Sequence, residues 1–140
     1  MADAYYNDAG NNFLGNGVHG NTDLDTDDIR IILYDEGADA RNLADADKAD
    51  ILTAARIDES ANLTAKTVGS VGDGIFDHTD EVFATVTGAS VESLIYFEFN
   101  ATASIAPLLF VLDSWTGLPV TPNGGDITAA PAAGGVLDIS

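Results

Sequence analysis

Asp23, Asp25 and Asp27 alternate along the chain, the spacing with which a calcium loop begins. Such a loop takes oxygen ligands from its first, third and fifth positions, a glycine at the sixth for a sharp turn, and a bidentate glutamate at the twelfth. Here the sixth and twelfth positions are Asp28 and Tyr34. The residues that would close the loop around an ion are missing. The run therefore reads first as an exposed acidic turn, and the three aspartates are only weak candidates for a divalent cation such as calcium. Asp73, Asp77, Asp80 and Glu81 make a second acidic patch, for which a solvated rim is the simpler reading. The two histidines, His19 and His78, stand in no spacing that links them to a nucleophile or to a zinc ligand set. The glycines of GNGVHG, Gly15 to Gly20, follow no strand and carry no lysine, so they do not form a phosphate loop. Trp115 and Tyr96 have the aromatic surface to stack on a sugar. Trp115 reads either as a binding contact or as a loop anchor. No catalytic residue and no cofactor is expected from these patterns.

Composition narrows the partners. The 140 residues include 23 Asp plus Glu against 5 Lys plus Arg, a net charge of −18. A surface of that sign repels nucleic acid and anionic lipid, so neither is an expected partner. Salt or divalent cations would screen the self-repulsion. With 46% hydrophobic residues the chain still has the means to form a core, and its length suits one domain. There is no cysteine, hence no disulfide framework and no thiolate metal site. No apolar run is long enough for a membrane helix, and the N-terminus lacks the basic start and apolar stretch of a secretory signal.

The elements that must position these residues are strands. Val91 to Leu112 is the longest apolar block and reads as a hairpin. Val91, Ser93, Ile95, Phe97 and Phe99 fall on one face, and Glu92, Leu94, Tyr96, Glu98 and Asn100 on the face expected to reach water. Ile105 to Leu112 is apolar except for Pro107, the pattern of a strand covered on both sides. Ile29 to Tyr34 is a further strand. Shorter ones are expected at 55–58, 63–68, 75–77, 82–86, 127–128 and 136–139, with turns at 69–74 and a long loop at 113–126. Residues 42–53 allow at most a short helix, with Asn42 as its cap. Residues 1–22 are rich in Gly and Asn and read as an arm, separable from the domain, with Phe13, Leu14 and Val18 as anchors. The expected fold is all-β: an antiparallel β-sandwich or jelly-roll-like domain over 23–140, preceded by that arm. Phe13, Leu14, Val18, Trp115, Leu118 and Val120 are the candidate interface residues.

Three segments together resemble a family of small structural proteins of tailed-bacteriophage virions. Leu14 to Asp35 is similar to its opening, with an Asp-Leu-X-X-Asp turn at Asp23 to Asp27 and a strand that begins Ile29-Arg30. Leu63 to Phe97 is similar through Leu-Thr-X-Lys-Thr-Val, Phe-Asp-X-X-Asp and Val-X-Gly-X-X-Val-Glu. Ala106 to Thr128 carries Pro-Leu-Leu and the unbroken run Thr-Gly-Leu-Pro-Val-Thr-Pro-Asn-Gly-Gly-Asp-Ile, Thr116 to Ile127. The chain departs from the family in being poorer in lysine and richer in aspartate. It also has Ala-Ala-Pro-Ala-Ala-Gly-Gly, Ala129 to Gly135, where relatives carry an aromatic strand. The resemblance implies a place in a virion and no reaction. The expected role is a head decoration or cement protein on the outer surface of the head. Its partner would be the major capsid protein, and it would act as a homo-oligomer, with a trimer favoured. A tail, neck or host-facing accessory of the virion is the alternative. From another class stands a calcium- or glycan-binding β-sandwich module, and an enzyme comes last.

Overall fold

A computed structural model describes residues 3–15, 17, 20–69, 74–132 and 134–138. Its centre is a five-stranded antiparallel sheet. In spatial order the strands are β1 (Ala4–Tyr5), β8 (Leu108–Leu112), β7 (Ser93–Glu98), β2 (Ile29–Tyr34) and β3 (Arg56–Glu59). Two smaller antiparallel sheets accompany it. One joins β4 (Thr67–Val68), β5 (Ile75–Asp77) and β10 (Leu137–Asp138), and the other pairs β6 (Glu81–Phe83) with β9 (Ile127–Ala129). The helix α1 (Ala9–Phe13) is a single short turn and a half. The architecture is all-β and sandwich-like, as the alternation of apolar residues predicts.

β2, β7 and β8 consist mostly of Ile, Leu, Val, Phe and Tyr, and they are buried on both faces. Ile29, Ile31 and Leu33 of β2, Leu94 and Tyr96 of β7, and Phe110 and Leu112 of β8 share one cluster. Phe76 of β5, Phe83 of β6 and Ala129 of β9 cover it from the small sheets, together with Leu63 from the connection between β3 and β4. Ile32, Tyr34, Ile95, Phe97, Leu108 and Val111 face the other way, under Tyr6, Ile51, Ala55 and Ala106. The expectation that Leu94 and Tyr96 share a water-facing side with Glu92 and Glu98 is therefore corrected. Tertiary cover from β5, β6 and β9 closes that face, and Tyr96 stacks on Phe110 with ring centroids 4.5 Å apart. The β7–β8 register shifts between Tyr96 and Phe97, so Leu109 is an extra residue that turns inward beside Phe110.

The N-terminal residues differ from expectation. Tyr5 pairs with Phe110 and Ala4 with Val111, which makes residues 4–5 an edge of the main sheet. Asp3 accepts backbone N–H groups from Asp113 and Ser114 at 2.8 and 3.0 Å. Tyr6 is 1% exposed, and Ala9 and Asn12 are buried. The segment read as a separable arm thus carries part of the core over residues 4–12. Val18 and His19 lie outside the described residues, as do Ser70 to Asp73 of the expected turn and Ile139 of the last expected strand. In 42–53 the helical piece is a 3₁₀ turn at Lys48–Asp50. Its cap is Asp47, with Asp50 bonding back to the Asp47 N–H, while Asn42 accepts the Ala44 N–H. The strands expected at 63–68 and 82–86 are shorter than the sequence suggests, being Thr67–Val68 and Glu81–Phe83.

The Tyr6 ring is buried, yet its hydroxyl has no hydrogen-bond partner among the described residues. Tyr6→Ala should lower unfolding stability by about 3 kcal/mol through the cavity it leaves. Tyr6→Phe should be neutral or slightly stabilising, because it removes an unsatisfied buried hydroxyl. Denaturant titration of the two variants against the parent checks both.

Candidate functional site

The three alternating aspartates are tied into their own turn. The Asp27 carboxylate accepts the Asp23 N–H at 2.7 Å, and the Asp23 carboxylate accepts the Asp25 N–H at 3.3 Å. Each folds the turn back on itself. Asp23 and Asp25 also share a side-chain hydrogen bond, which holds the Asp23 carboxyl below its ordinary range and pushes Asp25 above it. Among the described residues no three His, Asp or Glu side chains gather as a metal cage. In the second patch the Asp77 carboxylate accepts the His78 N–H at 2.9 Å.

His78 is a residue whose setting the sequence did not reveal. It is 5% exposed, with Nδ1 2.7 Å from the Thr79 carbonyl and Nε2 2.9 Å from the Tyr96 hydroxyl. A carbonyl only accepts, so Nδ1 carries the proton and Nε2 accepts from Tyr96. Phe76 and Phe110 complete the aromatic cluster around the pair. Both ring nitrogens are engaged inside the core, so His78 has no lone pair to offer a substrate or a metal.

The interface candidates separate into two groups. Phe13 packs half-buried against the core, and Leu14 is 80% exposed. Trp115, Leu118 and Val120 come together, half-buried, along a groove of about 210 Å³ that Leu94, Asp126 and Ile127 also line. Asp126 and Ile127 were not singled out from sequence, although they end the run that carries the family resemblance. The loop that builds the groove is fastened to the body of the domain. Val91 and Val120 exchange both backbone hydrogen bonds, at 2.8 and 2.9 Å. Val86 does the same with Gly125 and Gly124, and the Asp126 carboxylate accepts the Thr85 N–H at 3.0 Å. The Leu118–Pro119 peptide bond is cis, and Gly117 and Gly124 take positive φ angles of 102° and 86° that favour glycine.

Behind the same loop is a second concavity of about 270 Å³, lined by Glu36, Glu92, Asp113 and Pro119. The Arg41 guanidinium, 2% exposed, lies between Glu36 and Asp113, 3.1 Å from the latter. Three carboxylates against one buried guanidinium leave this hollow net negative. Leu118 and Val120 thus line the apolar groove, and Pro119 between them lines the acidic hollow.

Several carboxylates accept backbone N–H groups or pair with arginine, and Trp115, Leu118 and Val120 line the groove half-buried. No protein-family model matches the chain, and no curated protein is similar enough to it to count as a relative.

Burial pushes the His78 pKa below the ordinary 6.5, and the Thr79 carbonyl with Asp77 and Asp80 only partly offsets it. The unfolded chain therefore binds the proton more readily than the folded one. The stability contributed by neutral His78 is complete above about pH 6.5 and is lost as pH falls below it, at up to ~1.4 kcal/mol per pH unit. Asp45, Glu81 and Glu98, raised chiefly by burial, act with the opposite sign. His78→Gln keeps an acceptor for Tyr96 and does not titrate. Urea unfolding at pH 7.5 and 5.5 should show the parent losing stability relative to that variant at the lower pH alone.

Proposed function

We propose that this chain is a structural protein of a tailed-phage virion, a decoration or cement protein that binds the outer surface of the head and ties shell subunits together. One observation carries the reading. The run Thr116 to Ile127, which bears the most specific part of the family resemblance, is the segment that builds the groove beside Trp115. A loop held at both ends by the body of a β-domain and presenting apolar side chains is suited to gripping another protein.

Charge supports the outer rather than the inner surface, since −18 opposes contact with packaged DNA. The role is adhesion. A stable attachment needs roughly 1,000 Å² or more of buried surface per contact, which several copies acting together supply more easily than one. A trimer at the local symmetry points of the shell is the assembly this reading favours.

The test is to add purified protein to heads from the phage that encodes it, prepared without this gene product. Saturable binding at several hundred copies per head, with heads made more resistant to heat, is the expected result. Saturation at a few tens of copies or fewer would move the protein to the tail or neck. Failure to bind any virion part, together with calorimetric binding of calcium or a glycan, would replace the virion reading with that of a binding module.

A further inference from the structure

The five cationic side chains all lie between residues 30 and 66. Each is bonded within the chain. Arg30 joins Asp28 and Glu59, and Arg41 joins Glu36 and Asp113. Lys48 pairs with Glu59, Arg56 holds the Ile51 and Lys48 carbonyls, and Lys66 bonds Asn62 and the Leu63 carbonyl. The loop around the groove, and everything from Thr67 to Ser140, contains no lysine or arginine. A second copy of the chain therefore brings like charge to this face, with 5 cationic side chains against 23 acidic ones.

The β9 wall of the groove adds a backbone feature. β9 pairs with β6 on one side, and its Ile127, Thr128 and Ala129 line the groove. An extended segment lying there would run beside a strand edge while dropping side chains between Trp115 and Ile127.

We propose that the ridge Leu118–Pro119–Val120, with the apolar groove on one flank and the acidic hollow on the other, docks an extended segment of a different protein that carries an apolar anchor and, close to it in sequence, a lysine or arginine. The anchor enters between Trp115, Leu118 and Ile127. The basic side chain crosses the ridge to Glu92 and Asp113. Under the virion reading that protein is the shell subunit, and only the name of the partner rests on that reading.

Trp115 is the single tryptophan, so its emission reports the groove directly. Two variants separate the flanks. Thr128→Arg places a bulky cation on the exposed β9 wall. Glu92→Gln removes a charge from the hollow while keeping the acceptor for the Glu36 N–H. On heads, Thr128→Arg should weaken binding about tenfold and Glu92→Gln about threefold, with affinity falling as salt rises. Binding of both variants as tight as the parent would overturn the docking assignment and leave the virion role standing. If the parent does not bind heads, the virion role fails, and a displayed library of random peptides decides the docking surface by itself. Enriched peptides that pair an apolar residue with a lysine or arginine, and that shift Trp115 emission in the parent but not in Thr128→Arg, support it. Peptides lacking a basic residue, or indifferent to Thr128→Arg, overturn it. So would a concentration-dependent shift of Trp115 emission in the protein alone, which would place a second copy in the groove.

Discussion

Three adjacent strands with apolar side chains on both faces set the terms for the whole molecule. β2, β7 and β8 cannot leave either side to water. Each fully buried leucine, isoleucine or phenylalanine contributes roughly 1.5–3 kcal/mol relative to exposure. Two covering layers must therefore exist, and the chain has only short pieces to make them from. One layer is the pair of small sheets with Phe76 and Phe83. The other is the 3₁₀ turns around Ile51 and Ala55, together with Tyr6. Most of the remaining chain is connection between these pieces.

Connections of that kind leave many backbone N–H groups without strand partners, and the acidic side chains take them up. Asp35 accepts from Gly37 and Ala38, Asp39 from Leu52, Asp50 from Ala46 and Asp47, Asp58 from Glu59, and Asp126 from Thr85. The carboxylates thereby do structural work that a reading of net charge alone misses. Asp58 also covers an N–H at the outer edge of β3, which makes that edge a poorer template for another strand. β9, by contrast, pairs with β6 alone among the described residues, and its Ile127, Thr128 and Ala129 line the groove.

The sequence made some of this legible for physical reasons. Ile29 to Tyr34 is a strand to the residue because its six side chains are nearly all β-branched, large or aromatic and acidic turns flank it. The β7–β8 hairpin was visible in the same way. The burial of Leu94 and Tyr96 was not, because alternation with glutamates is the signature of a half-exposed strand and the cover comes from residues far along the chain. The docking of residues 4–12 was hidden by a composition rich in Gly and Asn. The His78–Tyr96 pair obeys no periodicity. At the groove, Trp115, Leu118 and Val120 stood out as aromatic and aliphatic residues in a turn-rich loop. Asp126 and Ile127 gain their meaning only from the fold that brings them to the same groove.

Under the proposed role, a sheet with one loop fastened to it, apolar on one flank and acidic on the other, holds a neighbouring protein through that loop. Amide hydrogen exchange, measured on the free protein and on protein bound to heads, tests that claim most directly. The account predicts that amides of β2, β7 and β8 are the slowest in both states, and that binding adds protection at 115–120 and 126–129. New protection confined to other residues, or rapid exchange throughout the central strands, would contradict it.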